Sequence, residues 1–176
     1  MPILPQDLLI LRDAVRVMLL RELRALDREI AAYPDDRSLW PTPSGISNSA
    51  GTLVLHLAGN LRHFIGATLG ESGYVRNREV EFSIKGLSRD ELRAHVSATI
   101  GDLETALDGI TAAQLEAPYP LLIQERRVRT ADWLVHLSVH LGYHLGQIDY
   151  HRRLITTNPE AANVVSVHEL PEYEGQ

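Results

Sequence analysis

The chain has 176 residues, 44% of them hydrophobic and 23% charged, with a formal net charge of -6 and no cysteine. That length suits one domain with its own core, residues 1–176. The acidic balance argues against a nucleic-acid partner, which needs a clustered basic surface. The missing cysteines remove disulfides, thiolate metal ligands and any protein-borne sulfur nucleophile, so any thiol must come from outside.

Residues 1–7 lack the basic-then-apolar pattern of a signal peptide. No apolar run approaches the roughly 18 residues of a membrane span. The expectation is a cytoplasmic protein with no membrane partner. Leu8, Leu11, Val15, Met18, Leu19, Leu23 and Leu26 recur at three- and four-residue steps, which predicts a helix over residues 6–32. Tyr33-Pro34-Asp35-Asp36 ends it, and Trp40-Pro-Thr-Pro-Ser-Gly45 reads as a loop. Asn48 or Ser49 can cap a second helix to about Leu69, with Leu53, His56, Leu57, Asn60, His63 and Phe64 along one broad face. Gly70 and Gly73 close it, and residues 74–87 read as polar and irregular.

Ser88-Arg-Asp-Glu91 is a capping box opening a third helix over residues 89–107. Residues 118–129 suit a short hairpin or an extended loop equally. Thr130 is the expected N-cap of the last helix, residues 131–154, and the acidic stretch 157–176 reads as an extended tail. The basic groups Arg126, Arg127, Arg129 and Arg152-Arg153 read as solvated faces. Four long helices with almost no strand imply an all-α, antiparallel four-helix bundle with a long helix 2–helix 3 connection.

The last helix carries His136, His140 and His144 one turn apart, with His151 further on. A four-residue step returns to nearly the same helix face, so the imidazoles form a stripe. Such a stripe is costly to bury unless something satisfies the ring nitrogens. The second helix adds His56 and His63, with Asn60 between them. Two ligands from one helix and one from another would build a mononuclear site with an open fourth position, as in catalytic zinc. From spacing, the pair is His140 with His144 or His136 with His140, and the third ligand is His56 or His63. A polar groove or an oligomer interface would use the same stripe. Two other metal schemes fail: His-Glu-x-x-His is absent, and so are the Glu-x-x-His pairs of di-iron bundles, since Glu91 and His95 are four apart. Trp40 and Trp133 read as packing residues, His95 and His168 as solvent-facing, and Arg78 with Glu79 and Glu81 as a surface ion network.

Three stretches carry a resemblance: Asn48-Ser-Ala-Gly-Thr-Leu-Val-Leu-His-Leu-Ala-Gly-Asn60, Arg78-Glu-Val-Glu-Phe82 and His140-Leu-Gly-Tyr-His-Leu-Gly-Gln147. With them the chain resembles the DinB-like superfamily over nearly its whole length. The resemblance implies a DinB-like four-helix bundle, often dimeric, so a homodimer is expected. It implies a divalent ion, zinc or nickel, on His56, His140 and His144. Characterised relatives include transferases that use bacillithiol, mycothiol or glutathione, so a low-molecular-weight thiol and an electrophilic small-molecule substrate are the expected reactants. His136 falls to the pocket or behind the ligands, and Gln147 is a candidate to orient a ligating ring. Asn60 and His63 face the same pocket, and a buried backbone-bonded amide is the plainer role for Asn60. Arg62, Arg76 and Arg78 are candidate anion contacts or solvated side chains. A hydrolase that activates water, with His136 or His63 as general base, is the alternative enzyme. A non-catalytic metal-binding or stress-response bundle, with His136 as a fourth ligand, is the alternative outside catalysis.

Overall fold

In the computed structural model, which describes residues 4–160, 162 and 166–172, the apolar spacing of the sequence becomes helix nearly throughout. Helix α1, Pro5–Ala31, opens with proline at its first position, where no backbone N–H is needed. Its Leu8, Val15, Leu19, Leu23, Leu26 and Ile30 are buried at helical spacing. Helix α2, Ala50–Leu61, is capped by Ser49, whose hydroxyl accepts from the Thr52 N–H at 3.2 Å. Every residue of α2 is buried, as a helix apolar on all sides requires. It runs on into a wider π-helical turn, Arg62–Ala67.

The long connection is not irregular throughout. It holds a short helix α3, Arg78–Ser83, capped by Asn77 through the Val80 N–H at 3.1 Å. A cap and one turn suffice because α3 packs on α2. Helix α4, Arg89–Gly109, has the expected capping box: Ser88 N–H donates to Glu91 Oε2 at 2.8 Å and Ser88 Oγ accepts from the Glu91 N–H at 3.2 Å. Ser88→Ala removes the hydroxyl half of that pair and lowers unfolding free energy by about 1 kcal/mol. Urea unfolding reads the shift, and an unchanged midpoint contradicts it.

Helix α5, Ala112–Glu116, is a single capped turn, and residues 118–129 form a narrow hairpin-like loop closed by the Pro118–Arg129 and Ile123–Arg126 bridges. Helix α6, Thr130–Thr156, starts one residue earlier than expected. Thr130 is not its N-cap: its N–H and its hydroxyl both donate to the Ala117 carbonyl at 3.0 Å, tying α6 to the end of α5. Helices α1 and α2 each pack on both α4 and α6, so the four long helices close a ring around one apolar core. The predicted tail, residues 157–176, lies partly outside the described residues. Where described it is tied down, with Arg28 bonded to Glu169 at 2.7 Å and the buried Arg152 donating to the Glu160 carbonyl at 2.8 Å. Among the described residues no helix is long and apolar enough to cross a membrane.

Candidate metal centre

Packing of α2 on α6 brings His56 against His140 and His144. Ring centroids lie 5.3 Å apart for His56–His140, 5.5 Å for His56–His144 and 4.6 Å for His140–His144. One nitrogen from each ring falls within 4.8 Å of the others. His140 and His144 reach this point because a four-residue step keeps both on the α6 face turned to α2.

Two of the rings are held from behind. The Glu81 carboxylate Oε2 lies 3.2 Å from His56 Nδ1. Arg76 Nη2, which only donates, lies 3.3 Å from the same Nδ1, but the shorter contact is to the carboxylate, which only accepts, and a proton on Nδ1 leaves Nε2 its lone pair. Arg76 fixes the carboxylate, Nε to Oε1 at 2.6 Å and Nη2 to Oε2 at 2.8 Å. Burial works to raise the Glu81 carboxyl, but the bonds and charges of Arg76 and His56 outweigh it and hold it below its ordinary value. His144 Nδ1 faces Gln147 Oε1 at 2.7 Å, so His144 too donates from Nδ1 and leaves Nε2 free. His140 is different: its Nδ1 is buried without a hydrogen-bond partner among the described residues. A buried ring nitrogen left unpaired costs free energy that an ion among these rings would recover. The donor set therefore fits a divalent cation: three imidazoles, two of them held by outer partners.

Burial disfavours the charged form of His140 and His144. Burial, then the neighbouring His144, His56 and His136 rings and Arg76, pushes His140 down to about 4. Burial also lowers His144, against the opposing bond from Gln147. A histidine with a depressed folded value binds its proton more readily when unfolded, so its contribution to stability is full above the unfolded value and is lost as pH falls towards the folded one. For His140 that window runs from about 6.5 down to about 4. Chelator-treated protein is expected to hold its melting temperature from pH 8 to about 6.5 and to lose it progressively below. A flat melting temperature down to pH 4.5 rules this out.

A model of one family matches residues 18–148 and is that of the DinB superfamily. The chain belongs to the DinB superfamily. No curated protein matches it.

In this DinB chain the other singled-out side chains separate clearly. His136 is exposed and stacks on Trp133, centroids 4.7 Å apart and planes 10° from parallel. It lies outside the group of converging ring nitrogens. His63 sits half-buried on the π-turn, against Phe64 at 4.8 Å, and is also outside the group. Burial and then Arg76 lower its pKa. Asn60, one turn beyond His56, is buried and its Oδ1 has no partner among the described residues, so the backbone-bonded role expected of a buried amide is not the one its oxygen takes. Arg62 pairs with Asp102 at 2.7 Å and lies over Tyr74, and Arg78 lies over Phe82. His95 and His168 are exposed as expected, and His151 is buried. Trp40 packs flush on Gly51 and donates to the Leu87 carbonyl at 3.0 Å.

Glu81 is the residue that sequence reasoning misplaced. It is 5% exposed and belongs to the centre, not to a surface ion network with Arg78 and Glu79. Gly59 makes its place: a Cβ there would lie 2.1 Å from Glu81 Oε1. The visible signal was a glycine in the middle of a buried helix, three residues after a histidine, where glycine has a cost that needs a packing reason.

Proposed function

We propose that this DinB protein is a divalent-metal enzyme, with zinc or nickel on His56, His140 and His144, that transfers a low-molecular-weight thiol to an electrophilic small molecule. The observation that carries the reading is the convergence of three imidazoles within 4.8 Å with no further protein ligand in the group among the described residues. A structural zinc site is usually closed by four protein ligands, whereas a three-ligand set leaves room for a reactant. An ion bound there would supply Lewis acidity, lowering the pKa of a thiol so that thiolate dominates near neutral pH.

The chain's own residues do the rest. Glu81 and Gln147 hold His56 and His144 in the orientation and tautomer that binding needs. Half-buried His63, its pKa lowered by burial, accepts the proton that the thiol gives up. The unpaired Oδ1 of Asn60 offers a hydrogen-bond acceptor one turn from His56. No cysteine competes for the electrophile. A hydrolase would want a carboxylate beside the open position as general base. Glu81 is spent on Arg76 and on the far nitrogen of His56, which favours transfer over hydrolysis. His136 stacked away on Trp133 likewise weighs against a fourth ligand and a purely structural ion. The family resemblance adds a homodimer to the reading.

The test is metal analysis of untagged protein, followed by thiol consumption with a panel of electrophiles. About one zinc or nickel per chain, with metal-dependent loss of thiol, supports the reading. A loaded protein that consumes no bacillithiol, mycothiol or glutathione with any electrophile defeats the transferase. A protein that takes up no metal defeats both enzyme readings.

A further inference from the structure

Residues 133–148 of α6 hold no Asp, Glu, Lys or Arg. Yet the helix is not buried on all sides. Val135, Val139, Tyr143, Tyr150 and Leu154 are between 39% and 78% exposed. At about 100° per residue they share one stripe, which runs about five turns along the helix. An exposed apolar patch of that length marks a contact surface. Two glycines point the same way. Gly146 lies in the stripe and Gly142 at its edge, and a Cβ at either would meet nothing within 4 Å among the described residues. Glycine inside a helix is destabilising relative to alanine, and no close approach within the chain calls for it at these two positions.

The stripe also reads alike from both ends. About a point between His144 and Leu145, Val135 mirrors Leu154, Val139 mirrors Tyr150 and Tyr143 mirrors Gly146. Two such helices laid antiparallel across a two-fold axis at that point set apolar against apolar, and each tyrosine over a glycine that leaves room for its ring. Each chain carries a net charge of -6, so copies repel, and an uncharged face is where they meet at least cost. From this we propose that a second copy of the chain docks antiparallel on this face of α6 and completes the site. Tyr143, Tyr150 and Leu154 also line a cavity of about 480 Å³ beside His144 and Gln147. In a single copy that wall is open to solvent. The partner's Tyr143, seated over Gly146, closes it next to Gln147, which holds His144 at 2.7 Å. With about 200 Å² for a whole tyrosine, the exposed side chains of the stripe come to on the order of 600 Å² per copy. That is close to the ~800 Å² that each partner buries in a standard interface. The inference rests on the homodimer of the proposed function and adds its face; it needs neither the ion nor the thiol.

The absence of cysteine makes the register testable. In Val139→Cys with Tyr150→Cys the two thiols face each other across the interface, while about 16 Å of helix separates them within one chain. Oxidation is expected to trap the paired variant as a covalent dimer and to leave Val139→Cys alone as single chains. Sedimentation velocity gives the parent twice the mass of one chain. Gly146→Glu puts a carboxylate under the partner's Tyr143 and raises the dissociation constant of the dimer at least about 100-fold, with helical circular dichroism unchanged. A parent that sediments as a single chain, a Gly146→Glu variant as dimeric as the parent, or a cysteine pair that cross-links no better than Val139→Cys alone overturns the inference. Metal and thiol assays on the same samples separate it from the reading it rests on. A monomer that holds an ion and consumes thiol loses only the docking face. A cross-linked dimer that takes up no metal keeps the face and defeats the transferase.

Discussion

Replacing His140 with alanine strips the ion from the centre. The variant keeps two imidazoles, one on each of two helices, where the protein has three. Loss of an outer partner alone weakens a metal site by about 10- to 100-fold, so loss of a ligand exceeds about 100-fold. Metal per chain, measured after dialysis against a mild chelator, falls from about one to near zero. The fold survives, because His140 is only half-buried and makes no hydrogen bond through its buried Nδ1. The same substitution removes the ring that burial and its charged neighbours push down to about 4. The chelator-treated variant is therefore less sensitive to acid between pH 6.5 and 4 than chelator-treated parent. A variant that retains the parent's metal places the ion elsewhere.

The second large effect belongs to a residue that touches no ion. Glu81→Ala releases His56 Nδ1 and leaves Arg76, 11% exposed in its side chain, without its carboxylate. Metal affinity drops about 10- to 100-fold, and removing one member of a mostly buried ion pair costs about 3 kcal/mol of stability. Gly59→Ala reaches the same end by sterics. Its methyl occupies the space of Oε1, 2.1 Å away, and pushes the carboxylate off His56 and Arg76. The double variant separates mechanism from general damage. With Glu81 gone the three atoms nearest the methyl are gone, so Gly59→Ala with Glu81→Ala binds metal as Glu81→Ala alone does. Additive losses, measured by competition with a chromophoric chelator, contradict this account.

The Glu81 case marks where local pattern stops being informative. Its neighbours Arg78, Glu79 and Asn77 are exposed, and a charged hexapeptide in a long connection reads as surface. Glu81 is buried because α3 lies across α2 at the one place where Gly59 leaves room for a carboxylate. Nothing within residues 74–87 encodes that meeting. His136 shows the same limit from the other side. It has the same four-residue spacing to His140 as His144 has, yet its ring stacks on Trp133 and stays exposed. Spacing fixes which side chains share a stripe, and the partner helix chooses which part of the stripe it covers.

Some features needed no tertiary information. The periodic leucines of α1 and α4, the Ser49 cap and the Ser88–Glu91 box are local, and their hydrogen bonds close within three residues. The His140-x-x-x-His144 pair and its link to Gln147 are local too, since all three sit within two turns of one helix. The length, the acidic charge and the absence of cysteine narrowed the chemistry to nitrogen and oxygen ligands. The family resemblance already implied His56; tertiary structure brings that ring, and not His63, to the pair and puts Glu81 and Arg76 behind it. The reason is physical. Capping and helical spacing are interactions between near neighbours in the chain, while the centre forms where residues 56, 81 and 140 are brought together by burial of apolar surface that no short segment can specify.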